Sequence, residues 1–450
     1  MIFNRKMMQV LVEWKDKKQH KPLIIRGARQ VGKTTLITEF GKGFDTFIQL
    51  NLELKEDADL FSGNLGAPEC YQRILLTKNI RPGKSVLLFI DEIQNSPNAM
   101  QLLRYFYEKL PELYVISAGS LLEHALADNT FSFPVGRVEY RYLYPLSFVE
   151  YLEAARESQL LEYIGNDDIP EWALEHAFQT FHTYTMVGGM PEVVGEYLKK
   201  DEISATIPIY QSLLTSYQED TAKYARNHSM RHIINHVIIN APLEVGNRIT
   251  FARFGNSDYG SREVGEAFRS LERAMILHLR YPTTDYEIPL QKNLSRKPRL
   301  QFLDTGLLNY SAGLQLEFFK KPKDLNSIYQ GKLTEHIVAQ ELIANNSYKS
   351  DIPLFWVREQ RGSCAEVDFI LQTKLGVLPV EVKSGKTGTL RSLHKFIDQS
   401  KVPVAIRLYA GKPTVEKLTT PAGTPFTLVS LPYFLAYRLE ESTEALINQR

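Results

Sequence analysis

Two cysteines, Cys70 and Cys364, are all that 450 residues contain. A disulfide framework or a thiolate zinc site needs more, and so few thiols fit a reducing compartment. An excess of one charge is also missing: 53 Lys+Arg stand against 52 Asp+Glu, a formal net charge of +1. Any attraction to a nucleic acid must then come from a local patch. No apolar run approaches the ~18 residues that span a bilayer. The opening MIFNRKMMQVLVEWKDKK lacks the apolar core and cleavage site of a secretory leader. Internal repeats and low-complexity segments are absent too. These gaps predict a soluble cytoplasmic protein with no membrane association. What is there, 44% hydrophobic and 23% charged residues, is ordinary globular composition. At about 150 residues per domain, roughly three domains are expected.

Residues 1–150 alternate short apolar runs with helical stretches. PLII (22–25), TFIQL (46–50), VLLFI (86–90) and LYVIS (113–117) read as buried parallel strands, being short, bounded by loops and rich in β-branched or aromatic residues. AMQLLRYFYEKL (99–110) reads as a helix between two of them. The alternation predicts an α/β fold with a parallel sheet covered by helices. Charge then shifts along the chain: twelve acids face three bases over 150–202, and 13 Lys+Arg face 7 Asp+Glu over 221–300. Such a shift suits a helical region between an N-terminal core and a module that faces nucleic acid.

Gly27-Ala28-Arg29-Gln30-Val31-Gly32-Lys33-Thr34 fits the phosphate-binding pattern GxxxxGK[ST], with a strand leading in and a helix leading out. The glycines let backbone N–H groups wrap phosphates at a helix N-terminus. Lys33 would neutralise the β- and γ-phosphates of ATP, and the Thr34 hydroxyl would ligate Mg²⁺. Val86–Ile90 leads into Asp91 and Glu92, 57 residues beyond Thr34. An apolar strand ending in two acids puts both at the carboxyl edge of the sheet, beside the phosphates. Asp91 would hold Mg²⁺ through water, and Glu92 would polarise the attacking water. Ser117 or Ser120, at the end of LYVISAGS, could touch the γ-phosphate as a polar sensor, or be turn serines. Arg137 is a candidate arginine finger offered to a neighbouring subunit, which implies a homo-oligomer.

GARQVGKTTL, FIDEIQ, SAGS and GR…YPLSFVEYL, in that order, resemble bacterial and archaeal AAA+-type ATPases that carry a C-terminal domain of unknown function. The resemblance continues through GGMPEVV (188–194), SREVGEAFRSLERAMIL (261–277) and KPRLQFLDTGLL (297–308). It implies an ATPase, and a winged-helix domain in the middle of the chain. SREVGEAFRSLERAMILHLR has Val264, Phe268, Leu271, Met275 and Leu279 at helical spacing, with Ser261 as a cap. Basic residues in such a module can contact phosphate, so DNA or RNA is a candidate partner. His228, His232 and His236 are spaced four apart, but without a nearby acid or cysteine they read as a solvated or interfacial stripe rather than a metal site.

A second constellation lies between 331 and 409. GKLTEHIVAQELI reads as a helix carrying Glu335, while FWVRE, EVDFIL (366–371), VLPVEVKS (377–384) and VPVAIRLY (402–409) read as strands. Side chains alternate along a strand, so Glu381 and Lys383 share one face, as do Glu366 and Asp368. Asp368, Glu381 and Lys383, with Glu335 on the helix, resemble the PD-(D/E)xK nuclease core. Departing from that pattern, the proline is Pro379, and Glu366-Val367 precede Asp368. The resemblance implies that Glu335, Asp368 and Glu381 bind Mg²⁺ and that Lys383 orients or deprotonates water.

The expected architecture is a P-loop AAA+ domain over 1–155, a helical and winged-helix region over 156–320, and a nuclease-like α/β domain over 321–450. Its expected function is an Mg²⁺-dependent ATPase coupled to a nucleic-acid-acting C-terminal domain. The alternative is a nucleotide-gated switch whose C-terminal domain binds partner protein or nucleic acid without cleavage.

Overall fold

The computed structural model describes residues 1–119, 136–166, 169–223, 225–315, 332–346, 348, 352–360, 363–385 and 389–448. They fall into two compact units. One is Met1–Pro145 with Ser270–Ile276 and Asn346–Ser350; the other is Leu146–Arg269 with Leu277–Asn345 and Asp351–Arg450.

The first unit is built on five parallel strands: β1 (Leu23–Arg26), β2 (Thr46–Asn51), β3 (Val86–Asp91), β4 (Tyr114–Gly119) and β5 (Glu139–Tyr142). Their order is β2-β3-β4-β1-β5, so β4 stands between the strand that feeds the glycine loop and the strand that ends in Asp91. Every residue of β3 is buried, as an apolar run between covered faces requires. Four strands lie within two residues of the sequence expectation. β5 was not anticipated, because EYRY is short and polar and gives no apolar run to read. The helix expected over 99–110 runs Pro97–Lys109, started by Ser96, whose hydroxyl accepts the Ala99 N–H at 3.2 Å, and by Pro97 at its first position. Leu103 and Phe106 of that helix join Ile48, Leu50, Leu88 and Ile90 in the core.

The second unit has a helical part and a sheet. Its helices include Glu171–Val187, Pro191–Lys200, Ile207–Lys223 and His228–Asn240. Further along, the helix Ser261–Arg273 ends sooner than its apolar spacing suggested. Met275 takes a left-handed φ of 57°, and Leu279 lies in a strand, β6 (Leu277–Arg280), all of it buried. Four buried residues in a row read equally well as the end of a helix, so periodicity could not separate the two. Ser261 is not the cap either: Glu263 turns back to accept the Gly260 N–H at 3.2 Å. A two-residue strand, β7 (Pro282–Thr283), follows, and β6 pairs antiparallel with β8 (Arg299–Phe302).

The large sheet has seven strands in the order β13-β14-β12-β11-β10-β9-β7. They are β7 with β9 (Leu354–Gln360), β10 (Ser363–Thr373), β11 (Gly376–Val382), β12 (Val404–Tyr409), β13 (Thr414–Thr419) and β14 (Pro425–Pro432). Trp356, Val367, Ile370, Phe396 and Ile397 anchor its core, the last two from the helix Arg391–Ser400. Pro379 is tolerated because β11 pairs with β12 only from Val380 onward. β10 is irregular: Val367 opposes Trp356 but Ile370 opposes Leu354, so Asp368 and Phe369 share the single partner position of Phe355. Such a bulge re-aims a side chain, here Asp368.

The sequence left GGMP (188–191) and LDTG (303–306) without a mechanistic account, and their packing supplies a structural one. The buried Asp304 carboxylate accepts the Gly189 N–H at 2.6 Å and caps the helix Thr305–Ser311 through the Leu307 N–H at 3.0 Å. A Cβ on Gly188 would lie 2.2 Å from Asp304 Oδ1, and one on Gly306 would lie 2.2 Å from the Val187 carbonyl oxygen. These motifs form one packed joint.

Candidate active site

β1 delivers the chain to a loop that needs unusual backbone angles. Gln30 and Gly32 take φ of 62° and 93°. Gly27 lies so near Leu143 that a Cβ there would come 2.4 Å from the Leu143 carbonyl oxygen. Lys33 opens the helix Lys33–Gly41 and folds back over the loop, donating to the carbonyl oxygens of Gly27 at 2.9 Å and Ala28 at 2.8 Å. Burial lowers its ammonium to about 8, against the pull of Glu92 and Asp91. Arg29 pairs with Glu53 at 2.9 Å.

The Thr34 hydroxyl donates to Asp91 Oδ2 at 2.7 Å. This contact brings together the two residues that the sequence assigned to Mg²⁺, and two oxygens so placed suit a hard cation. Burial raises the Asp91 carboxyl above its ordinary value, although the Thr34 hydrogen bond pulls it down. Glu92 follows in a left-handed conformation, φ 51°; its N–H donates to Asp91 Oδ1 at 3.1 Å and its Oε2 accepts from the Gln94 amide at 2.5 Å. Ser117 stands in register with Ile24 of β1 and Ile90 of β3, fully buried, with an Oγ that has no hydrogen-bond partner among the described residues. Ser120 lies outside the described residues. Arg137 donates through Nε to Glu108 at 3.1 Å, within its own chain, and Glu108 also takes Arg104.

Two contributors escaped the sequence reading. Arg5, before the first helix, donates to the Val31 carbonyl oxygen at 3.0 Å and to that of Tyr144 at 2.6 Å, tying down the glycine loop from 26 residues away. Gln94 holds the Glu92 carboxylate. Its place in FIDEIQ was visible, but nothing local marked its role.

The second constellation does assemble. Glu335 (helix Lys332–Ala344) and Asp368 (β10) meet two arginines that the sequence had not singled out, Arg280 and Arg299, while Glu381 (β11) and Lys383 pair with each other. Glu335 Oε1 accepts from Arg280 at 2.9 Å and from Arg299 at 2.6 Å. Burial pushes Glu335 up, but Arg299 and Arg280 outweigh it and hold its carboxyl below the ordinary value. Asp368 Oδ1 faces Arg299 at 3.4 Å, and Oδ2 accepts the Val382 N–H at 2.9 Å. Lys383 pairs with Glu381 Oε1 at 2.6 Å. Burial and the charge of Asp368 nevertheless raise the Glu381 carboxyl.

The histidine stripe is engaged elsewhere: His232 meets His228 at 3.1 Å, and His236 bonds the Phe254 carbonyl at 2.9 Å. Among the described residues, no three His, Cys, Asp or Glu are grouped to hold a metal ion, and no helix is long and apolar enough to cross a membrane.

Residues 19–152 match the family model described as an AAA domain. Two further models, each described as a domain of unknown function (DUF8612 and DUF4143), match residues 178–317 and 330–428. The curated proteins give no match. Among solved structures, the chain resembles a Walker-type ATPase of Pyrococcus abyssi at 15% identity, over 69% of this chain and 96% of that one, with a TM-score of 0.43. It also resembles the ORC2 protein of Aeropyrum pernix, described in ADPNP–ADP complexes, at 12% identity over 70% and 93% of the two chains, with a TM-score of 0.34. The third is the ORC1 protein of Aeropyrum pernix in complex with DNA, at 13% identity over 68% and 90%, TM-score 0.26. Likenesses at such scores carry no weight for the activity of this chain. With its parallel sheet, glycine loop and AAA-domain match, the N-terminal part of the chain is a P-loop domain of AAA type.

Proposed function

We propose that the protein is an Mg²⁺-dependent ATPase whose nucleotide state is coupled to a nucleic-acid-acting, nuclease-like C-terminal domain. The observation that carries the ATPase reading is the 2.7 Å contact between Thr34 and Asp91, from opposite ends of the site. Mg²⁺ bound to ATP supplies charge neutralisation of the phosphates. Thr34 and Asp91 would hold that ion, Lys33 would leave its two carbonyls for the phosphates, and Glu92 would accept the proton of the attacking water. Lys33→Ala should abolish nucleotide binding or hydrolysis, whereas Glu92→Gln should keep ATP bound and slow its cleavage by on the order of 100-fold or more. Equilibrium binding of labelled ATP alongside phosphate release separates the two. A Glu92→Gln protein that turns over like the parent would remove that residue from its role.

The proposed division of the chain is three-part: 1–155, 156–320 and 321–450. The helix Ser261–Arg273 followed by the antiparallel pair β6–β8 supports a winged-helix reading of the middle region. Asp368, Glu381 and Lys383 around β10 and β11 support a nuclease-like reading of the last. Assembly with copies of itself in the cytoplasm completes the proposal, with Arg137 offered in trans. The second reading, in which the C-terminal region binds without cutting, is favoured by the ion pairs of Arg280 and Arg299, which already engage the carboxylates that cleavage would need. Incubation of the full chain with mixed nucleic acids and Mg²⁺ or Mn²⁺ tests it: cleavage that Lys383→Ala removes would overturn the non-cleaving reading.

A further inference from the structure

We infer that Arg280 and Arg299 are the resident cations of the C-terminal carboxylate cluster, standing where a divalent ion would otherwise be needed. The inference rests on the non-cleaving reading and deepens it, because it says what replaced the metal. Arg280 and Arg299 face each other in register across β6 and β8. Two like charges directly opposite on a strand pair repel, and both side chains are buried, at 2% and 10% exposure. A buried guanidinium persists only where its donors are met by acceptors.

Here they are met. Glu335 Oε1 sits between the two arginines, at 2.9 and 2.6 Å. Arg280 also donates to the Asp368 carbonyl oxygen at 2.7 Å and lies over the Phe369 ring, 4.3 Å from its centroid. Arg299 adds Glu366 and Asp368 and lies 4.7 Å from the centroid of Phe355. The bulge in β10 serves this arrangement: it gives Asp368 and Phe369 one opposing residue, Phe355, so both stacking rings lie at the irregularity. Outward, Arg248 joins Glu359 to Glu366, and Arg296 pairs with Glu359. Counting Lys383 with Glu381, five cations meet five carboxylates.

Among the described residues each of these carboxylates already stands beside a cation, so a divalent ion would have to compete with resident charge. Mg²⁺ and Mn²⁺ need several oxygens converging on one point. Of the three expected donors, Glu335 shares its Oε1 between two guanidiniums, Asp368 is committed on both oxygens, and Glu335 Oε2 and the buried Glu381 Oε2 are left without a hydrogen bond among the described residues. Among those residues no three His, Cys, Asp or Glu are grouped to hold a metal ion. The residues present do not fit the ion.

The test is a Mn²⁺ titration of the full, nucleotide-free chain, read by the electron paramagnetic resonance signal of free Mn²⁺. The native chain and Asp368→Asn should bind Mn²⁺ alike. A Mn²⁺ ion that the native chain binds at millimolar or tighter affinity, and that Asp368→Asn loses, would overturn the inference. Arg299→Gln uncovers Glu335, Glu366 and Asp368 and should gain Mn²⁺ affinity by about tenfold or more; a folded Arg299→Gln chain with no such gain would also overturn it. If that variant does not fold, the comparison of native chain with Asp368→Asn still decides. Cleavage of nucleic acid that persists in a chelator would sink the non-cleaving reading alone and leave the resident cations in place.

Discussion

Single residues differ in how openly the sequence declares them. Lys33, Thr34, Asp91 and Glu92 were legible because phosphate chemistry demands those side chains beside glycines and at the end of an apolar strand. Arg5 was not, since nothing near it speaks of a glycine loop and its two acceptors are backbone carbonyls. Hydrogen bonds to charged groups contribute about 1.5–3 kcal/mol each. Arg5→Ala should therefore destabilise the first unit by roughly 2 kcal/mol or more and weaken ATP binding, since the Val31 carbonyl loses its anchor. Thermal unfolding with and without ATP, beside equilibrium binding, checks this; an unchanged affinity would make Arg5 a stabiliser of the fold and nothing more.

Among the elements, strands bounded by clear breakers were read from sequence within two residues. β5 and the end of the helix Ser261–Arg273 were not, because each depends on tertiary pairing rather than on local pattern. The arginine pair escaped for the same reason: 18 residues, β7 among them, separate β6 from β8, and only their register brings Arg280 and Arg299 together. β6 also carries His278, which burial lowers to about 4, and the helix Lys332–Ala344 carries His336, which burial lowers to about 3. In the unfolded chain each would take up a proton near pH 6.5. The folded state binds fewer protons in the interval, so stability is complete above about pH 6.5 and is lost as pH falls toward the folded values. Each histidine should contribute up to about 1.4 kcal/mol per pH unit to that loss. Denaturant unfolding between pH 7 and 5, comparing the native chain with His278→Phe, should show a shallower acid slope in the variant. Equal slopes would mean that His278 takes up its proton while folded.

At the scale of the whole molecule, composition excluded several classes, and only the ordered motifs pointed to ATP hydrolysis. Neither could locate the acceptors of Arg137, whose partner in its own chain is Glu108. For Arg137 to act on a neighbour, that exposed pair must open. Specific ATPase activity should then rise with protein concentration, and a mixture of Arg137→Ala and Lys33→Ala chains should recover turnover that neither has alone. A stable monomer with constant turnover would end that role.

The lysine that reaches back to two carbonyls of its own loop has one more consequence. A cradle for phosphate usually has to be ordered by what it binds, and the entropy of that ordering weakens the complex. Lys33 has to release those carbonyls to reach the phosphates, and the curve of the loop is then held by Arg5 from outside, through the Val31 and Tyr144 carbonyl oxygens. An arriving nucleotide meets a finished mould, and its contacts go into affinity rather than into shaping the chain.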